Sequence, residues 1–149
     1  MSLNIAVFYG SARHHRQGIK AAKFVINKLE ERGHKTDLIE PFTYELPLLD
    51  KMYKEFKAGE APEILEKMAE IIKNADGFVI VSGEYNHSIP PALSNLLDHF
   101  LEEYLFRPSA IVTYSSGSFG GVRAAMQLRA MLAELGMPSI SSIFPVPKI

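Results

Sequence analysis

The sequence predicts an α/β fold built on a five-stranded parallel sheet, and three observations predict it. Short apolar runs alternate with stretches of helical periodicity, the pattern of strands joined by crossover helices. Two of the runs, Asn4 to Tyr9 and Phe78 to Val81, are apolar at nearly every position, as strands covered on both faces must be. Three turns that follow a strand and precede a helix, at 10–17, 83–88 and 115–121, carry the unusual polar and glycine residues. In an open parallel sheet such turns leave from the carboxyl ends of the strands, where ligands bind.

Taken in order, Asn4 to Tyr9 reads as the first strand. Ala22, Val25, Ile26 and Leu29 then recur at helical spacing between about Gln17 and Arg32, with Gly33 placed as the C-terminal cap. His34 to Ile39 supplies a second strand, and Pro41 and Pro47 break regular patterning up to about Gly59. Pro62 suits the first turn of a helix with Ile64, Leu65, Met68, Ile71 and Ile72 on one face. Phe78 to Val81 is the third strand, and a helix starts near Pro90-Pro91. Ala110 to Tyr114, a helix from Val122 to Leu135 capped by Gly136, and Ser139 to Phe144 complete the series.

Composition bounds the function. With 149 residues, 47% hydrophobic and 22% charged, the chain suits a single domain over 1–149. The formal net charge of -1 gives no general pull toward nucleic acid or anionic lipid, so neither is an expected partner. The absence of cysteine excludes thiolate chemistry, disulfides and cysteine metal sites. No segment approaches the roughly 20 apolar residues of a membrane span. A cytoplasmic protein is the expectation. His14-His15 reads as a solvated pair, no metal site is expected, and Asp98 and His99 read as surface or interface residues.

The first turn, Gly10-Ser11-Ala12-Arg13-His14-His15-Arg16-Gln17-Gly18, opens a helix whose free N–H groups attract an anion. Ser11 offers a hydroxyl, and Arg13 and Arg16 offer charge-assisted bonds to phosphate oxygens. An N-cap serine beside solvated arginines accounts for this turn equally well when it is taken alone. It matches neither the G-x-G-x-x-G fingerprint nor the P-loop. The second turn, Gly83-Glu84-Tyr85-Asn86-His87-Ser88, offers an aromatic wall and edge hydrogen bonds for a flat heteroaromatic ligand; an ordinary Asn-containing turn is the alternative. Glycines at 117, 120 and 121 let the third turn approach a ligand closely, or simply make it flexible.

Together these strings resemble the NADPH-dependent FMN reductase family. Gly10-Ser11-Ala12-Arg13 is similar to its phosphate loop. Glu84-Tyr85-Asn86-His87-Ser88-Ile89-Pro90, followed by Leu93, Asn95 and Asp98, resembles its Pro-Glu-Tyr-Asn-x-Ser-x-Pro segment. Ser116-Gly117-Ser118-Phe119-Gly120-Gly121 is similar to its third flavin-contacting turn. The resemblance implies a flavodoxin-like three-layer sandwich of strand order 2-1-3-4-5, here without the final helix. It implies FMN as cofactor and NADPH or NADH as co-substrate, with homodimeric or homotetrameric assembly. Ser11, Arg13, Arg16 and Gln17 would meet the FMN phosphate. Glu84, Tyr85, Asn86 and Ser88 would lie along the ring, and Ser116, Gly117 and Gly120 would approach it from the third turn. Two departures stand out: Gly83 replaces a frequent proline, and Arg16 a frequent serine.

The implied activity is an NAD(P)H-dependent reductase passing two electrons by a ping-pong mechanism to a flavin, quinone, azo compound or metal oxyanion. The flavin carries that chemistry, so no catalytic side chain is assigned. The rival readings are a flavodoxin-like electron carrier and a flavin-binding regulatory protein. Carriers are usually strongly acidic, and this chain is not. Leu93, Leu96, Leu97, Phe100, Leu101, Tyr104 and Leu105 exceed the width of one core-facing stripe, which predicts a subunit contact there, with a deeply buried central helix in a monomer as the alternative.

Overall fold

The computed structural model describes residues 1–149. Its order is β1 (Asn4–Tyr9), α1 (Ile19–Glu30), β2 (Lys35–Ile39), α2 (Glu63–Asn74), β3 (Gly77–Gly83), α3 (Pro91–Asp98), β4 (Ser109–Tyr114), α4 (Val122–Glu134) and β5 (Ser139–Val146). All five strands are parallel, in the order β2-β1-β3-β4-β5. The expected α/β three-layer fold is what forms.

Period-two alternation sorts the sheet's side chains between two cores. Ala6 and Phe8 of β1, Phe78 and Ile80 of β3 and Ile111 of β4 face α2, α3 and α4. Val7, Tyr9, Val79, Val81 and Val112 face α1. Every residue of β3 is buried, as befits a central parallel strand. No residue of β5 is. On the α1 face β5 is covered only marginally, where Phe144 stacks on Phe24 with both rings about half-exposed.

Most of the apolar surplus after Pro91 packs within the chain. Leu93, Leu96, Leu97, Phe100 and Tyr104 are all buried within the chain. The helix stops at Asp98, and a short 3-10 turn at Glu102–Tyr104 folds the aromatic residues back into the core. There the Tyr104 ring meets Phe8, Phe78 and Phe100 edge-on. Intrachain packing takes up five of the seven apolar side chains, while Leu101 is partly buried and Leu105, beside the 92% exposed Phe106, stays exposed. The surface placement expected of His99 is corrected: it is buried, with Nδ1 2.6 Å from the Asn95 carbonyl oxygen. Asn95 in turn pins the 41–62 connection, donating to the Pro47 carbonyl and accepting from the Leu49 amide.

Arg107 finishes α2 from outside. One guanidinium nitrogen donates to the carbonyls of Ile72, Lys73 and Ala75, while the group lies 5.1 Å from the Phe78 ring. Carbonyls at a helix C-terminus lack the regular partner four residues on, and here only Ile72 has a substitute within the backbone, the Ala75 amide. Arg107→Ala should therefore lower the unfolding free energy by about 1.5–3 kcal/mol, the scale of hydrogen bonds to a charged group. A lower urea midpoint at unchanged slope is the expected measurement.

Candidate functional site

The three turns converge on one cleft of about 310 Å³ at the carboxyl edge of the sheet. Ser11, Arg13, Arg16 and Gln17 line it from the first turn, Glu84 and Tyr85 from the second, and Ser116 from the third. Asn86 lies beside it, in a groove shared with Arg13, Glu84 and Tyr85. Ser88, Gly117 and Gly120 line neither space. Ser88 donates to Gln127 Oε1 at 2.7 Å, and Gly117 accepts from the Ser115 hydroxyl and the Lys148 amide. Gly120 turns toward β5, where a Cβ would stand 2.9 Å from Pro145 Cβ. The cleft also takes in His15, Gly18, Gly83, Tyr114, Ser115 and Ile149, which the motifs did not single out.

Of the helix N-termini at this edge, the chain treats those of α1 and α4 in opposite ways. At α4, Glu84 Oε2 accepts from the amides of Arg123 and Ala124 at 3.0 and 3.1 Å. The carboxylate satisfies orphan donors and meets the positive end of the helix. Glu84 thus lines the cleft and at the same time acts as a cap that fastens the second turn to α4. Gln127 adds a second tie, donating to the His87 carbonyl at 2.9 Å.

At α1 no side chain caps the helix. None of the backbone N–H groups from His14 to Ile19 donates to a protein acceptor. With Ser11 and Arg13 alongside, this is a site built for an anion. Arg16 lines the cleft but is already engaged. It pairs with Glu40 at 2.7 Å, both side chains largely buried, and stacks over Phe42 at 4.1 Å. Arg13 is the arginine of this turn without an ion pair.

The second turn is held tightly. Tyr85 and Ser88 exchange backbone hydrogen bonds at 3.0 and 2.9 Å, and Asn86 and His87 between them have φ of 51° and 63°. Such a two-residue turn asks for left-handed conformations, which Asn tolerates and His adopts at some cost. The result projects Tyr85 and Asn86 from a fixed base.

The family model for NADPH-dependent FMN reductases matches residues 3–149. A quinone reductase of Escherichia coli (strain K12) is 35% identical over 99 residues, 64% of this chain and 52% of the relative. The chain therefore spans about half the length of that relative. An NADPH azoreductase of Bacillus sp. (strain OY1-2) is 30% identical over 132 residues, covering 88% of this chain and 69% of the relative. Among solved structures, FerB, a flavoenzyme NAD(P)H:(acceptor) oxidoreductase from Paracoccus denitrificans, superposes with a TM-score of 0.75 at 22% identity. It covers 93% of this chain and 75% of that one. A flavodoxin from Pseudomonas aeruginosa gives 0.61 at 16% identity, over 97% and 84% of the two chains. At those identities the structural likeness speaks for the fold alone.

The cap at α4 yields a direct test. Glu84→Ala removes the acceptor of two amides and should lower stability by about 0.5–2 kcal/mol, as loss of a helix cap does. Glu84→Gln keeps one acceptor oxygen and should lose less. Urea unfolding of the three proteins measures both, and equal stability of Glu84→Ala and wild type would show that the cap contributes nothing.

Proposed function

The chain belongs to the NADPH-dependent FMN reductase family, and from that premise we propose that it holds FMN between the three turns and reduces small acceptors with NADPH or NADH. The observation that carries this reading is the open N-terminus of α1, a run of unpaired amides at the mouth of a cleft with aromatic walls. The residues fit the cofactor. Amides from His14 to Ile19, with Ser11 and Arg13, suit a phosphate, and the Tyr85 and Tyr114 rings suit the apolar part of a nucleotide. The groove containing Asn86 extends the cleft beyond its own 310 Å³, which is near the lower end of the range of roughly 300–1,000 Å³ for ligand sites.

When bound, the flavin supplies the redox chemistry, accepting hydride from the nicotinamide nucleotide and passing two electrons to the acceptor. The protein's own groups bind and orient. Ser11, Arg13 and the first-turn amides fix the anionic end, Tyr85 walls the cleft, and Glu84 holds the second turn still by capping α4. No side chain is assigned as acid or base. One cleft open to solvent has nucleotide and acceptor enter in turn, which is a ping-pong scheme. The names of the relatives support quinones and azo compounds as acceptor classes.

The proposal takes residues 1–149 as one domain of a cytoplasmic homodimer or homotetramer. Assembly rests on the family resemblance and on Phe119 and Met126, large apolar side chains left exposed beside the third turn. No helix is long and apolar enough to cross a membrane.

The test is an FMN-loaded preparation mixed anaerobically with NADPH or NADH. Loss of the flavin band and its return on adding a quinone are expected, with parallel double-reciprocal plots at several quinone concentrations. A protein that binds FMN yet oxidises neither nucleotide with any acceptor is a carrier or a regulatory binder instead.

A further inference from the structure

Tyr114 ends β4 with its ring on the α1 face and inside the cleft. Two glycines make room for it. A Cβ on Gly18 would stand 2.1 Å from Tyr114 Cζ, and one on Gly83 would stand 3.2 Å from the Tyr114 hydroxyl oxygen. Neither glycine has a positive φ, so these positions are glycine for space and not for backbone conformation. Gly18 is also the N-cap of α1, which sets the ring directly against the helix end whose amides are free.

The hydroxyl of Tyr114 donates to that of Tyr9 at 3.4 Å, and the two rings stack with centroids 6.2 Å apart. Both phenols lie beside Ser11, and Tyr9 and Ser11 are buried. Three hydroxyls therefore gather under the first turn. Burial pushes the Tyr9 phenol up, and burial followed by the bond to Tyr9 pushes Tyr114 far above the usual tyrosine range. Both stay protonated at neutral pH, as donors without charge. Such donors matter here because Arg16 is engaged by Glu40.

We propose that, when the flavin nucleotide is bound, the Tyr114 hydroxyl turns its single proton from Tyr9 to the phosphate and accepts from the Tyr9 hydroxyl in exchange, in the role that Arg16 would otherwise fill. This rests on the reading of the cleft as an FMN site. It also explains why glycine stands at 83, where the resembling family often has proline: any side chain there presses on the ring that carries the donor.

The experiment compares dissociation constants of FMN and riboflavin, read by flavin fluorescence quenching, for wild type, Tyr114→Phe, Tyr9→Phe and the double variant. Phenylalanine keeps each ring in place and removes one hydroxyl. Tyr114→Phe should weaken FMN about tenfold, the scale of one hydrogen bond to a charged group, and leave riboflavin within about twofold. Tyr9→Phe should shift the same ratio by less, and the double variant should be no worse than Tyr114→Phe, because Tyr9 acts through it. An unchanged FMN-to-riboflavin ratio in Tyr114→Phe, whether from no loss or from equal loss, overturns the proposal while the FMN site stands. Wild type binding FMN no more tightly than riboflavin overturns the reading of the phosphate site itself.

Discussion

A parallel sheet must return every connection across one of its faces, so every strand-to-helix turn leaves from the same edge. The rest of this protein follows from that constraint. β1, β3 and β4 are neighbours in the sheet and each is followed by a polar or glycine-rich turn, so residues about a hundred positions apart line one cleft. The side chains that hold the strands in place are sorted by period two into two cores, and the cleft opens above the end of both. Tyr9 and Tyr114 belong to the α1-side core through their rings and to the cleft through their neighbourhood with Ser11.

Electrostatics then distinguishes the helix ends gathered at that edge. Each offers unpaired amides and a partial positive charge, and an uncommitted ligand anion would be drawn to either. The Glu84 carboxylate closes α4, whereas α1 keeps its amides free and has Arg13 and three hydroxyls nearby. Capping one end with the protein's own carboxylate directs an external anion to the other. The same bond ties the second turn to α4, so selectivity and rigidity come from one side chain.

Much of the fold was legible in sequence because apolar runs and helical spacing are local signals. β3 and the helices around Leu65 and Leu128 announce themselves within a few residues. The convergence of the turns was legible too, since it follows from parallel topology. What was not legible depends on partners distant in the chain. Nothing local to Arg16 announces its pairing with Glu40 and its stacking on Phe42. The cap that Glu84 supplies to α4 is equally invisible from its neighbours in sequence, and His99 reads as a surface residue until the 41–62 connection packs over α3. The apolar width after Pro91 shows in sequence as surplus to one stripe, but the short 3-10 turn that folds Tyr104 into the core has no periodic signature. Tyr114 carried one usable sign, being a bulky aromatic at a strand end beside glycines that no turn conformation requires.

The three walls of the cleft differ in how firmly they are anchored. The first turn grows from β1 and the second from β3, whose neighbours are buried core side chains. The third turn grows from β4 but is also bonded to the far end of β5, with Ser115 donating to the Val146 carbonyl and Gly120 packed against Pro145. β5 is the edge strand and none of its residues is buried, so little apolar contact opposes its local opening. The wall that follows β5 is accordingly the easiest to displace, while the walls built on β1 and β3 are held by buried strands. A cleft with two rigid sides and one yielding side can keep one part of a ligand in a fixed place while the third wall adjusts to what lies against it.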